Sequence, residues 1–401
     1  MNCLSGLAPG GASVDRRHKR CPLLPVFSIA AVLLALLAAS CGSRRAAEDE
    51  FVIPVYMPRY ASGFEILGAE GRKSTLVRVH NPWQGAEGVD FELFIARDGE
   101  AAPEGFEGQI LQGEPSRIVC MSSTYIAMLD AVGAVNRIVG VSGLNYVSNA
   151  YVTAHRESIG DVGYEGNIDY ELLLALSPDV VLLYGLNGAN GMEGKLRELG
   201  IPFVYMGDYL EQSPLGKAEW MIVAGEMMGC RGKAEAVYAG IPQRYNALKE
   251  LVASASVKAP AVMLNVPYGD SWLMAPANSY VARTIADAGG DYVYRKNTTN
   301  RSLPVDMEEA ALLVSRADVW IEVGDIRTLG ELKRRLPKLA DAACIRNGRV
   351  WNSDRRSTPS GGNDYWESGV IHPDVILRDL VKIFHPELEP EYEPVYYRQL
   401  P

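Results

Sequence analysis

Beyond Cys41 the 401-residue chain has only three cysteines, Cys120, Cys230 and Cys344, and only four histidines, His80, His155, His372 and His385. The cysteines are far apart and sit in apolar company ("RIVCMSS", "EMMGCRG", "DAACIRN"). They give neither a disulfide framework nor a CxxC metal site and read as small core residues. The histidines show no HxH or HxxxH spacing, so nothing supports a dedicated zinc or manganese cage. A G-x-S-x-G elbow is missing, and "GVSGL" (140–144) lacks its spacing. "GLNGANGMEGKL" (185–196) fails as a phosphate loop, because Leu196 stands where Ser or Thr should follow Lys195. No nucleophile comes with a base, so the chain does not read as an enzyme. A surplus of cations is missing too. The net charge is −10, and residues 1–40 hold four cations against one anion, so the remainder is more acidic still. That argues against nucleic-acid binding, which needs cationic footprints along the phosphates.

What is present begins at the N-terminus. "DRRHKR" (15–20) precedes the apolar "CPLLPVFSIAAVLLALLAAS" (21–40) and then Cys41. A basic stretch, an apolar core and small residues before a cleavage point read as an export signal. The run Val26 to Ala39 is too short for a comfortable membrane span of ~20 residues. "LLAASC" looks like a lipobox, which would make Cys41 the lipidated first residue of the mature protein and 41–50 a polar tether.

Residues 51–114 carry β-branched and alternating runs, "FVIPVY", "STLVRVHN" and "VDFELFIARDG", and read as a small β-rich module. From "PSRIVCMSS" onward short apolar strands alternate with helical stretches, so 115–230 reads as an α/β lobe with a largely parallel sheet. The same grammar restarts at "APAVMLNVPYG", giving a second lobe over 256–390 and a tail at 391–401. Between them, 231–255 has no strand signal. Its apolar positions Ala234, Val237, Ile241, Tyr245, Leu248 and Leu251 recur every three or four residues, predicting a long amphipathic helix. Pro242 lies inside it and predicts a kink or a restart. The fold class is therefore α/β: two Rossmann-like lobes bridged by a long helix and preceded by a β-rich module.

Two segments echo each other: "NIDYELLLALSPDVVLLYG" (167–185) and "PVDMEEAALLVSRADVWIEVG" (304–324). Both read as a helix opening with Asp-x-Glu, a turn, and a buried strand. Ten residues separate Asp169 from Asp179, but twelve separate Asp306 from Asp318, which predicts a longer helix or turn in the second copy.

In their order, "SRIVCMSSTYIAMLDAVGAVNRIVGVSG", "IGDVGYEGNIDYELLLALSPDVVLLYG", "GDSWLMAPANSYVARTIADAGGDYVY" and "SGGNDYWESGVIHPDVILRDLVKIFHPEL" resemble the helical-backbone (class III) substrate-binding proteins of ABC transporters. The likeness covers roughly 115–390 and is strongest to lipoproteins of the Bacteroidetes. The resemblance implies a monomeric, lipid-anchored solute-binding protein of the cell envelope, in the periplasm, without a cofactor of its own. Its ligand would be a small-molecule metal complex: a ferric siderophore, haem or cobalamin. One Glu on each lobe would dock on the ABC permease, by position Glu171 and Glu308, with Glu309 as the fallback. The ligand would lie between the lobes at the strand ends. Ser123, Tyr125, Tyr146, Tyr184 and Asn187 are offered by the first lobe, and Tyr268, Trp272, Arg327, Arg355 and Arg356 by the second. Aromatics would stack on the ligand and the arginines would suit an anionic ferric complex. Tyr365 and Trp366 fit either the cleft or the packing of the closing helix. A rival reading is a surface lipoprotein that captures haem or cobalamin for an outer-membrane receptor, with no ABC permease.

Overall fold

The computed structural model describes residues 50–164, 166–185 and 191–401. The expected export signal, the expected lipidation site at Cys41 and Asn187 lie outside the described residues.

Five strands form the N-terminal module: β1 (Ile53–Tyr56), β2 (Phe64–Gly68), β3 (Thr75–His80), β4 (Asp90–Ala96) and β5 (Gln109–Gln112). They pair in chain order, antiparallel except for the parallel β4–β5 pair. The two-residue period of a strand sends Phe64, Ile66, Val77, Val79, Phe91 and Leu93 to one face, which joins the core of the first lobe. Leu67, Leu76 and Phe94 point the other way and close a small separate core with Phe51.

The first lobe contains β6 (Ile118–Cys120), α1 (Ser123–Ala131), β7 (Ile138–Val141), β8 (Gly160–Asp161), α2 (Tyr170–Leu176), β9 (Val180–Leu183), α3 (Gly191–Leu199) and β10 (Phe203–Tyr205). Its strands are all parallel, in the order β8-β7-β6-β9-β10. Strands β6, β9 and β10 are buried at every position, which is why they read as continuous apolar runs. Helices α4 (Pro214–Glu219) and α5 (Met221–Met227) lead into α6 (Arg231–Ser254).

Helix α6 runs unbroken through Pro242, so the expected restart does not occur. Packing against α5 and against the helix Pro373–Phe384 outweighs the one hydrogen bond that proline removes. The buried stripe is partly rotated from the expected one. Tyr238 and Val252 face inward, while Val237 and Leu251 are each 38 % exposed. Tyr238 donates its hydroxyl to the Leu215 carbonyl in the first lobe, and Arg244 pairs with the buried Asp374 of the second at 2.6 Å.

The second lobe runs β11 (Ala261–Leu264), β12 (Trp272–Met274), α7 (Tyr280–Asp287), β13 (Asp291–Tyr292), β14 (Leu303–Val305), α8 (Met307–Arg316), β15 (Val319–Ile321), α9 (Leu329–Arg335), β16 (Val350–Asn352), α10 (Pro373–Phe384) and β17 (Arg398–Gln399). Its main sheet has the order β13-β11-β15-β16-β17, parallel except for β17. The C-terminal segment is thus the edge strand of this sheet, with Tyr396, Tyr397 and Leu400 buried. Among the described residues no helix is long and apolar enough to cross a membrane.

Candidate ligand cleft

In each sheet the direction of winding reverses once, between β6 and β9 in the first lobe and between β11 and β15 in the second. Crevices open beyond the strand ends at such reversals. In the first lobe β6 delivers the turn Ser122–Ser123, where Ser122 caps α1, and β9 delivers Tyr184. In the second lobe both strands end in a non-glycine residue with left-handed backbone: Asn265 (φ 63) after β11 and Glu322 (φ 59) after β15. Such backbone costs roughly 1 kcal/mol or more and is retained where the surroundings over-determine it, often at functional sites.

The space between the lobes divides into connected parts. The inner part is a cavity of about 380 Å³ walled by Tyr125, Tyr184 and Tyr209 from the first lobe and Tyr280, Tyr365 and Trp366 from the second, with Val370, Ile376 and Leu380 behind them. One ion pair faces it. The Lys217 ammonium stands 3.6 Å from the Asp208 carboxylate and 4.8 Å from the Tyr280 ring centre, and donates to the Asp208 carbonyl at 3.2 Å. Burial pushes the Asp208 carboxyl up, and Lys217 opposes that shift. Each charge largely cancels the other, and the rest of the wall is mainly aromatic and aliphatic, with Ser122, Ser123, Thr124 and Thr284 among it.

Outward lies a cavity of about 560 Å³, sharing Tyr209, Tyr280, Val281 and Trp366 with the first. Its lining is rich in side-chain amides: Gln84, Gln212, Asn265, Asn278 and Asn300. Glu322 lies at its base, buried, and accepts from the Tyr365 hydroxyl at 2.7 Å and the Tyr397 hydroxyl at 2.9 Å. Burial pushes its carboxyl up despite both bonds. A third space of about 310 Å³ continues between the β3–β4 loop and the 207–212 segment.

Of the residues named from sequence, the inner cavity brings together Ser123, Tyr125 and Tyr184. Tyr125 offers only its ring, because its buried hydroxyl reaches the Leu183 and Met206 carbonyls at 3.2 and 3.3 Å and burial raises its pKa strongly. It is therefore unsuited to ligate iron. The other expected residues lie elsewhere. Trp272 is fully buried, stacked on Trp320 at 5.4 Å, with its indole N–H donated to the Leu264 carbonyl. Tyr268 is 88 % exposed in a turn closed on Ser271. Tyr146 packs across the lobes onto Gly361 and Gly362, outside the cavity. The arginines are spent on local acids: Arg327 on Asp354 at 2.9 Å, Arg355 on Glu393 at 3.0 Å and Arg356 on Asp364 at 2.7 Å. Sequence reasoning missed Lys217, Asp208, Tyr209 and Tyr280. Lys217 sits in an ordinary-looking helical run, and only the folded chain turns it inward. Trp366, left open between two roles, belongs to the cleft, while Tyr365 forms its floor.

The echoed segments are the same unit in space. Asp169 caps α2 through the Leu172 N–H, and Asp306 caps α8 through the Glu308 and Glu309 N–H groups. Asp179 accepts from the Arg117 N–H beside β6, as Asp318 does from the Ala261 N–H of β11, each at 2.9 Å. The second helix is three residues longer, ten against seven, and the turn before its strand-side aspartate is one residue shorter, which together give the two extra residues of the second copy. Glu171 and Glu308 occupy matching first-turn positions, both exposed and without an ion pair among the described residues. Glu309 is engaged by Lys296.

Residues 118–354 match the family described as Periplasmic binding protein. An uncharacterized lipoprotein of Methanocaldococcus jannaschii is 27 % identical over 283 residues, 68 % of this chain and 66 % of its own length. A second uncharacterized lipoprotein of that organism is 26 % identical over 365 residues, 85 % of this chain and 86 % of its own. These archaeal relatives lend no support to a particular likeness to the Bacteroidetes. A periplasmic heme-binding protein from Pseudomonas aeruginosa superimposes with a TM-score of 0.55 at 20 % identity, covering 72 % of this chain and 98 % of that one. A periplasmic vitamin B12-binding protein of Vibrio cholerae gives 0.50 at 14 %, covering 70 % and 98 %. The match over more than half of its length, carried by two doubly wound lobes around one cleft, makes this chain a member of the periplasmic binding protein family.

Proposed function

We propose that the protein is the solute-binding component of an ABC importer of the cell envelope, anchored by lipid at Cys41, and that it takes a large, ring-rich metal complex into the interlobe cleft. The observation that carries this reading is the aromatic inner cavity at both winding reversals, walled by Tyr184, Tyr209, Tyr280 and Trp366. Stacked or edge-on rings bind flat conjugated ligands with ~0.5–1.5 kcal/mol per contact beyond area burial. The heme- and vitamin B12-binding neighbours support that ligand class. The exposed Glu171 and Glu308, one per lobe, favour delivery to a cationic permease over capture for an outer-membrane receptor. Exposed charges add ~0–1 kcal/mol each, yet a symmetric pair sets orientation and encounter rate. The test is calorimetric titration of the full-length protein in detergent with haemin, cyanocobalamin and ferric siderophores. One class is expected to bind at micromolar or lower concentration with one site per chain. Binding of none of them by folded protein would refute the reading.

A further inference from the structure

We propose that the β3–β4 loop of the N-terminal module is a third wall of the ligand cleft, and that Asn81 and Gln84 on it read neutral hydrogen-bonding groups, amides or hydroxyls, at the edge of the ligand. The proposal rests on the cleft reading above and adds to it a part of the chain that lies wholly outside the matched residues 118–354.

The loop is held in place from three directions. Asn81 closes it at its base, where the backbone N–H donates to the Val89 carbonyl at 2.7 Å and Asn81 takes a left-handed φ of 47°. Trp83 forms an isolated parallel bridge to Gly185, directly beyond β9, and its ring meets Tyr205 at 5.8 Å. A methyl group on Gly185 would lie 2.8 Å from the Trp83 side chain and 3.0 Å from the Pro82 carbonyl, so glycine there permits the approach. Gln84 then crosses the cleft, its amide donating to the Asn300 carbonyl of the second lobe at 3.2 Å. A loop of the module therefore touches both lobes over the mouth of the cleft.

What that loop presents to the cavities is uncharged, since its one acid, Glu87, is exposed and lines neither of them. Gln84 lines both outer cavities and Asn81 lines the smaller, facing Gln212 and Asn300. His80 at the loop's start is turned to Asp90 at 2.8 Å. Of the acids here, Glu211 is occupied by the Ser62 and Gly63 N–H groups and the Trp220 indole, and Glu322 by the Tyr365 and Tyr397 hydroxyls. Arg301 stands at the rim, and Lys217 within is matched by Asp208. The cleft thus offers amide donors and acceptors with little net charge. That suits a ligand whose periphery is neutral and polar better than one edged with carboxylates, whose desolvation needs a paired cation.

The experiment compares full-length wild type with Gln84→Ala, Asn81→Gly and a variant in which residues 83–88 are replaced by a Gly-Ser linker. Each is titrated with cyanocobalamin, whose ring edge carries neutral carboxamides, and with haemin, which carries two carboxylates. Thermal unfolding checks that each variant is folded, and Asn81→Gly keeps the left-handed backbone available. Cyanocobalamin affinity should fall about 3- to 10-fold for Gln84→Ala, the loss of one hydrogen bond, and at least as much for Asn81→Gly, which also removes the bond from the Val89 N–H to the Asn81 side-chain oxygen at 3.3 Å. It should fall further for the loop replacement, while haemin affinity changes less than twofold. Unchanged cyanocobalamin binding in all folded variants would overturn the loop's role and leave the cleft reading standing. Wild type that binds haemin more tightly than cyanocobalamin would overturn the preference for neutral edges. Wild type that binds neither overturns the loop proposal together with the ligand class it depends on.

Discussion

In the first lobe the buried carboxylate of Glu219 accepts from the Tyr56 hydroxyl and from three successive backbone N–H groups, Arg59, Tyr60 and Ala61, at 2.7–2.8 Å. In the second lobe the buried carboxylate of Asp379 accepts from the Tyr392 hydroxyl and from three successive N–H groups, Val395, Tyr396 and Tyr397, at 2.6–3.2 Å. Each lobe thus clamps a segment from outside its βα core with one acid. The consequences differ. The Glu219 clamp fixes the β1–β2 loop of a module whose β3–β4 loop reaches the cleft mouth. The Asp379 clamp fixes the chain end, which completes the sheet edge and sets Tyr397 beneath Glu322. A similar local device therefore supplies a cleft-facing wall on one side and closure of the fold on the other.

The largest effects should come from breaking these clamps. Glu219→Ala and Asp379→Ala each remove a buried carboxylate that satisfies four donors, and should cost about 3–5 kcal/mol in denaturant unfolding. If the two clamps do different work, Glu219→Ala also weakens ligand binding while Asp379→Ala in folded protein does not. A second comparison concerns the contact between the lobes. Glu367 of the second lobe is buried and accepts from the Ser148 N–H of the first at 2.8 Å. Burial, aided by Asp364 and Asp130, pushes its carboxyl up to about 7, against the lowering effect of the Ser148 and Asn149 N–H groups. A raised carboxyl favours the protonated folded state. Its contribution is therefore whole below the ordinary carboxylate range and is lost as pH rises through about 7. Glu367→Gln should flatten that dependence and gain on wild type by on the order of 2–3 kcal/mol between pH 5 and pH 8, read from unfolding curves across that range.

Smaller effects test the equivalence of the echoed units. Asp169→Ala and Asp306→Ala each remove a helix cap and should cost about 1 kcal/mol. Asp306, which accepts from two N–H groups against one for Asp169, should show the larger loss of the two. Smallest for stability are Glu171→Gln and Glu308→Gln, within ~0.5 kcal/mol of wild type as exposed changes. Ligand affinity should stay unchanged in both while cellular uptake falls, most in the double variant.

The βα units and the long helix are legible in the sequence because strand burial, Asp caps and helical spacing are local. The clamps are not, since Glu219 meets partners some 160 residues away. The cleft is legible only in part. Ser123 and Tyr184 follow directly from strands that end at the reversal, so their position along the chain placed them. Trp272 alternates with Leu273, which is 48 % exposed, and the sequence cannot say which face of β12 is covered. Arg327 and Arg356 looked free because Asp354 and Asp364 reach them only after the chain turns back. Lys217 gave no local sign, since an inward-facing lysine in α4 depends on Asp208 and Tyr280 arriving from two lobes.

The most direct measurement is fluorescence titration of the full-length protein and of Trp366→Phe with cyanocobalamin and haemin. Trp366 is the half-exposed indole shared by the inner and outer cavities, whereas Trp220, Trp272 and Trp320 are fully buried. The account predicts saturable quenching at one ligand per chain, with much of the signal lost and affinity lowered in Trp366→Phe. Quenching and affinity identical in the two proteins, or no saturable binding at all, would contradict it.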